Sequence, residues 1–139
     1  MLEQIKSRLT PRHLTKPGPT IVQIEQAISA ACAAPDHGRL RPWRFVVIAG
    51  EGRSRLGDVL ASSFLKRDPL ATEEQLQRER EKPLRAPLIV VIACVPQVSA
   101  KVPEVEQLLA VGAAAQNIQL AIHALGFGCQ WKTGVAVYE

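Results

Sequence analysis

A chain of 139 residues, 47% apolar and 22% charged, is long enough for one domain with a real hydrophobic core and lies far from disordered or collagen-like compositions. Three cysteines, Cys32, Cys94 and Cys129, widely spaced and without a CxxC pair, point to neither a disulfide framework nor a zinc site. The net charge of +4 is uneven, with nine Lys or Arg against four Asp or Glu over residues 1–55 and eight against nine over 56–139, so the front of the chain attracts an anion, either a phosphate-bearing small molecule or nucleic acid.

The first segment, MLEQIKSRLTPRHLTKPGP, can begin as a short helix, but Pro11, Pro17 and Pro19 make most of it irregular. Thr20 then opens a helix. Its spacing to Gln23 is that of a capping box, and Ile21, Ile24, Ile28 and Ala31 recur at helical period until Pro35 ends the element. Trp43 to Ala49 is rich in aromatic and β-branched residues and predicts a strand covered on both faces. A helix is expected from about Ser54 to Leu65. TEEQLQREREK, with its Thr72 to Gln75 cap and Glu74/Arg78 pair, predicts an exposed helix that forms a solvated flap.

LIVVIACV, residues 88–95, bounded by Pro87 and Pro96, predicts a central strand. Pro103 at a first helical position opens a long helix in which Leu108, Val111, Ala115, Ile118, Ile122 and Leu125 follow a 3,4 alternation. Gly112, Ala113 and Ala114 make another of its faces smooth, so this helix should be buried on more than one side, within the core or against a second subunit. Gly126 stops it. GCQWKTGVAVYE predicts a strand with a turn. The order α, β, α, α, β, α, β lacks a regular βαβ rhythm and predicts an α+β layer architecture.

The apolar runs are all shorter than the ~20 residues of a membrane helix, and the amino terminus lacks a signal-peptide core, so a cytoplasmic protein without membrane contact is expected. GEGRSRLGD, residues 50–58, lies where a phosphate-binding glycine loop would, but Arg55 stands at the third glycine position of GxGxxG and the stretch reads as a tight turn. HExxH, GxSxG and DxD arrangements are absent, which leaves hydrolytic catalysis without support and assigns no catalytic residue or metal ligand. What remains is a distributed set: Arg8 and Thr10 in the arm, His37 and Arg41 before the first strand, and Trp131, Lys132 and Thr133 near the end. A basic side chain beside a hydroxyl suits a phosphate or a ribityl chain. Each also has a plain reading: a solvated Arg8, a core Trp131, Asp36 and His37 paired across a turn, and His123 packed in its helix.

Together, APDHGRLRPWRFVVI, RAPLIVVIA, KVPEVEQ, GFGCQWKTG and an arm with RLT before a PxPT turn resemble, in order, the FMN-dependent nitroreductase family, and within it the small bacterial NAD(P)H nitroreductases. The likeness covers essentially the whole chain as a single nitroreductase-like FMN-binding domain, residues 1–139. It implies an α+β nitroreductase-like fold with a central mixed or antiparallel sheet flanked by helices, and a homodimer with FMN sites shared by both subunits. Members usually continue beyond the WKT segment with a further helix and strand, so either this sequence is a fragment or the expected fold lacks those two elements.

Residue by residue, the resemblance implies that Arg8, Leu9 and Thr10 grip the FMN phosphate and ribityl chain. It implies that Ala33, His37, Trp131, Lys132 and Thr133 also contact the flavin. Ala121, Ile122, His123, Ala124, Leu125 and Gly126 match a stretch associated with NAD(P). The implied activity is hydride transfer from NADH or NADPH through FMN to a nitroaromatic, a quinone or a similar small-molecule acceptor, with Lys132 stabilising negative charge on the flavin. Where the wider family has Ser, Asn and Gln, this chain has Asp36, Arg39 and Arg41, so flavin contacts do not transfer to those three. The rival readings are a non-catalytic flavin-binding or interaction protein with a truncated fold, and a nucleic-acid module, which 4% aromatic residues and the lack of a basic helix disfavour.

Overall fold

The computed structural model describes residues 1–99 and 101–138. The chain divides into two compact units: Met1–Pro11, Pro19–Val46 and Val90–Cys129 form the first, and Arg12–Gly18, Val47–Ile89 and Gln130–Glu139 the second.

In the first unit, α1 (Leu2–Ser7) precedes α2 (Ile21–Cys32), which packs on the long α5 (Glu104–Ala124). The capping box forms as expected: Gln23 N donates to Thr20 Oγ1 at 3.3 Å and Thr20 N donates to Gln23 Oε1 at 2.8 Å. Thr20→Ala is expected to cost about 1 kcal/mol in a urea melt, and a loss below a few tenths would mean the cap contributes nothing. The buried stripe of α2 is Ile24, Ala27 and Ala31, whereas Ile21 in the first turn is 64% exposed. On α5 the buried positions include Ala110, Val111, Ala114, Ala115, Ile118 and Ile122. Alanines dominate both faces, so the two backbones approach closely, and Asn117 Nδ2 can reach the Ala30 carbonyl at 3.0 Å.

Gln107 is 2% exposed, yet every polar atom of its amide is used. Its Oε1 accepts from Gln97 N at 2.8 Å and its Nε2 donates to Gln97 O at 2.9 Å and Val102 O at 3.3 Å. A buried amide satisfied this way fixes residues 97–102 against the start of α5 instead of costing stability. The 3,4 alternation of α5 fails at Leu108, which is 57% exposed beside exposed Val105 and Leu109.

In the second unit, α3 (Gly52–Arg67) packs against α4 (Glu73–Glu81). The expected flap is in fact docked: Leu76 is buried with Ala61, and the Arg80 backbone lies directly over Gly57. One apolar residue per two turns suffices because glycine lets the helices nearly touch. Gly50, at φ 54°, makes the tight turn into α3, and Arg53 Nη1 closes it by donating to the Ala86 carbonyl at 2.7 Å, so the glycine-loop segment is structural.

β1 (Trp43–Ala49) and β2 (Leu88–Cys94) pair as a two-stranded antiparallel sheet, and each strand contributes to both units. Val95 N donates to Pro42 O at 2.7 Å, which sets the end of β2 beside the start of β1. The sequence predicted a strand covered on both faces and a central strand, and neither expectation holds, because Val46, Val47 and Val91 are exposed and each strand has one described neighbour. The architecture is α+β. The expected last strand is absent among the described residues: residues 127–134 are irregular and Val135–Tyr138 is a 3-10 turn, so they join neither open edge of the two-stranded sheet. Among the described residues no helix is long and apolar enough to cross a membrane.

Candidate functional site

The arm of the first unit is built around α1. Ser7 Oγ donates to Glu3 O at 2.6 Å, and His123 Nε2 lies 3.0 Å from the same oxygen. A hydroxyl has one hydrogen, so the imidazole N–H is the donor to Ser7 and the pair is a clamp between α1 and α5 rather than a nucleophile and base. Arg8 then leaves the helix with extended backbone, φ −59° and ψ 124°. It is half-buried, and its Nη1 donates to Thr10 Oγ1 at 3.4 Å. No carboxylate pairs with Arg8 among the described residues. Leu9 and Thr10 are exposed.

Cys129 reports the same charge. Burial pushes its thiol above the ordinary 9.0, while the Arg8 guanidinium pulls it back down. Because the folded state binds this proton more tightly than the unfolded chain, its contribution to stability is complete below pH 9.0 and is lost as pH rises through the folded value. Arg8→Ala removes the opposing pull, and iodoacetamide alkylation of Cys129 at about pH 8 is expected to slow roughly two- to fivefold. An unchanged rate would place the guanidinium elsewhere.

A second group lies in the loop between α2 and β1. Asp36 and His37 do not pair with each other, contrary to the turn reading. Asp36 Oδ2 accepts from Arg41 N at 2.7 Å, whereas His37 Nδ1 meets Glu106 Oε2 of α5 at 2.7 Å. The His37 ring is therefore anchored at one nitrogen, with the exposed Nε2 left for another partner. Ala33, the C-cap of α2, is exposed.

The stretch 121–126 occupies the last turn of α5 and its stop. Ile122 is 5% exposed and belongs to the core, His123 is half-buried in its clamp, and Ala124 and Gly126 are exposed, with Gly126 at φ 86° ending the helix. Trp131, Lys132 and Thr133 belong to the second unit. All three are exposed, Trp131 by 54%, so it is not a core tryptophan.

The structure thus brings Arg8 together with Thr10 and, through Ser7 and Cys129, with the 121–129 region, and it sets His37 on the opposite end of α5. These are a basic arm and an anchored imidazole, and among the described residues neither a nucleophile and base pair nor a metal cluster accompanies them.

Comparison with known proteins gives this arrangement a context. The sequence model of the Nitroreductase family matches residues 5–139. The chain is 35% identical over 133 residues to the "Putative NAD(P)H nitroreductase YdjA" of Escherichia coli K12, covering 96% of this chain and 72% of that protein. The chain belongs to the nitroreductase family.

The family fold is matched in three dimensions as well. A nitroreductase-like family protein from Bacillus cereus superposes with a TM-score of 0.82 at 27% identity, over 99% of this chain and 71% of that one. A nitroreductase with bound FMN from Desulfitobacterium hafniense DCB-2 shares the fold at a TM-score of 0.64 and 20% identity, over 90% and 65% of the two chains. Nitroreductase-family membership makes the chain an oxidoreductase.

Residues Ser7, Glu106 and Cys129 escaped the sequence reading. Glu106 and His37 are 69 positions apart, and Ser7 and His123 are 116 apart, so neither pair leaves a local spacing signal. The KVPEVEQ segment does place an acid in the first turn of α5, where it complements the helix dipole, but its pairing with His37 is purely tertiary.

Proposed function

We propose that this nitroreductase-family chain is an FMN-dependent enzyme that passes hydride from NADH or NADPH to a nitroaromatic, a quinone or a similar small acceptor, with residues 1–139 acting as one FMN-binding domain. The observation that carries the reading is the half-buried Arg8 guanidinium, oriented on the Thr10 hydroxyl and lacking a described carboxylate partner. A cation and a neighbouring hydroxyl held this way form the donor set that a dianionic phosphate needs. Bound FMN would supply the two-electron chemistry.

The chain's own residues would then do the following. Arg8, Leu9 and Thr10 hold the phosphate and ribityl chain. His37, fixed through Nδ1 by Glu106, presents Nε2 to the flavin, and Ala33 contributes through its exposed backbone. Trp131 offers a flat apolar face, Thr133 a hydroxyl, and Lys132 an ammonium that favours negative charge on the ring. The 121–126 stretch would meet the nicotinamide nucleotide through its exposed Ala124 and Gly126 and the ring of His123, since Ile122 faces the core.

Val105, Leu108 and Leu109 on α5 are 60%, 57% and 68% exposed, an apolar face that supports a homodimer sharing its flavin sites. A cytoplasmic location accords with three free thiols. The purified full-length protein is expected to be yellow, or to become so with added FMN, and to bleach on anaerobic addition of NADPH. Yellow protein that NADPH does not bleach would be a flavin binder without turnover, and protein that takes up no FMN would overturn the reading.

A further inference from the structure

The loop from Asp36 to Trp43 holds both non-glycine residues that have positive φ among the described residues. Gly38, Arg39 and Arg41 have φ of 75°, 53° and 49°, so two arginines occupy the left-handed region that side chains ordinarily avoid. Four hydrogen bonds hold them there. Arg39 N donates to Asp36 O at 3.1 Å and Arg41 N to Asp36 Oδ2 at 2.7 Å. Gln97 Nε2 donates to Leu40 O at 2.7 Å, and Arg44 Nη1 donates to Arg41 O at 3.1 Å. Left-handed non-glycine residues are strained and persist where surrounding contacts over-determine them, typically where the side chains are needed in one direction.

The same two arginines line an open cleft of about 330 Å³ with Cys32, Ala34, Asp36 and Trp43. Neither guanidinium has a carboxylate partner among the described residues. The Asp36 carboxylate accepts the Arg41 N–H through Oδ2 and keeps its charge, and Arg44 is turned onto backbone carbonyls, so the cleft carries two arginines against one acid. The cleft's lining is mostly polar, with Ala34 and Trp43, each 7% exposed, contributing little of it. Two fork-shaped donors on a mostly polar lining suit a carboxylate or a phosphate monoester.

We infer that this cleft is a binding site for a small anionic group, a carboxylate or phosphate monoester, held by Arg39 and Arg41. Cys32 and Ala34 flank Ala33, and Asp36 precedes His37, so the cleft adjoins two positions assigned to the flavin. Its use in turnover rests on that assignment: the anion would be either the carboxylate of an aromatic electron acceptor or the 2′-phosphate of NADPH. Anion binding itself does not depend on flavin.

The test is a ¹H–¹⁵N NMR titration of the full chain with inorganic phosphate and, separately, 4-nitrobenzoate. Saturable shifts confined to residues 32–43 are expected, weakening with salt because the arginines are exposed. Arg39→Asn/Arg41→Asn removes both charges with a residue that tolerates left-handed backbone, and should weaken binding roughly tenfold; Arg39→Lys/Arg41→Lys should recover part of it. Non-saturating shifts spread over the basic surface, or binding unchanged in the Asn variant with its native spectrum intact, would overturn the site.

In the flavin-loaded enzyme, the Asn variant should lose either its preference for 4-nitrobenzoate over neutral 4-nitrobenzyl alcohol or its preference for NADPH over NADH, and the arm that changes identifies the ligand. Saturable anion binding by protein that takes up no FMN would leave the cleft standing and the flavin reading fallen.

Discussion

Replacing Arg8 with alanine is expected to weaken FMN uptake ten- to hundredfold. Arg8 is half-buried and already oriented on Thr10, so little side-chain entropy remains to be lost on binding. A charge-assisted hydrogen bond in such a place contributes about 1.5–3 kcal/mol, and each 1.4 kcal/mol is tenfold in affinity. Arg8→Lys keeps the charge but not the fork and should fall between the two. Thr10→Ala should cost less, because a neutral hydroxyl contributes roughly 1 kcal/mol. Quenching of FMN fluorescence at fixed ionic strength measures all three. Arg55→Ala, on the exposed part of α3, is the control for non-specific charge, and equal losses in Arg8→Ala and Arg55→Ala would remove the arm from the site.

The largest expected effect on stability comes from Gly57→Ala. A Cβ at Gly57 would sit 2.3 Å from the Arg80 carbonyl oxygen and 3.0 Å from the Arg80 carbonyl carbon and Cα. All three are backbone atoms, so no rotamer change relieves the clash, and α4 must move off α3. Overpacking of this kind costs about 1–3 kcal/mol, and here the upper end applies because Leu76 would be pulled from its buried position with the helix. The sign is diagnostic. In an undocked helix, Gly→Ala would stabilise by about 1 kcal/mol through helix propensity. A urea melt that shows Gly57→Ala more stable than the parent would mean that α4 is the solvated flap its composition suggests.

That composition shows where local reasoning stops. TEEQLQREREK has one strongly apolar residue, and nothing within eleven residues reveals that a glycine some twenty positions earlier leaves a groove for its backbone. The caps at Thr20 and Thr72 were legible because a capping box is closed by residues three apart. The strand bounds of β1 were legible for a similar reason, since β-branched residues and flanking Pro42 and Gly50 act locally. How many faces those strands bury was not, because the composition of a strand is the same whether its cover is supplied or withheld. The last segment failed because strand character is not pairing: valines give GVAVYE β propensity, but a ladder forms only where packing lays the segment along a strand edge.

The candidate site divides along the same line. Arg8 and Thr10, Trp131 to Thr133 and the 121–126 stretch were marked through the ordered motifs that carry the family resemblance, and the family itself is shown by the match over residues 5–139. Which groups hold them was not. Ser7 under His123 and Glu106 behind His37 are contacts between positions distant in the chain, and Cys129 lies within electrostatic reach of the equally distant Arg8. By itself the sequence determined the capped helices, the two strands, the α+β class and the nitroreductase likeness, all of which depend on interactions within a few residues or on ordered motifs. Only the tertiary structure decided that α4 docks, that His37 is anchored, and that Arg39 and Arg41 face one cleft with left-handed backbones, because each depends on hydrogen bonds and close approaches that packing alone brings within reach.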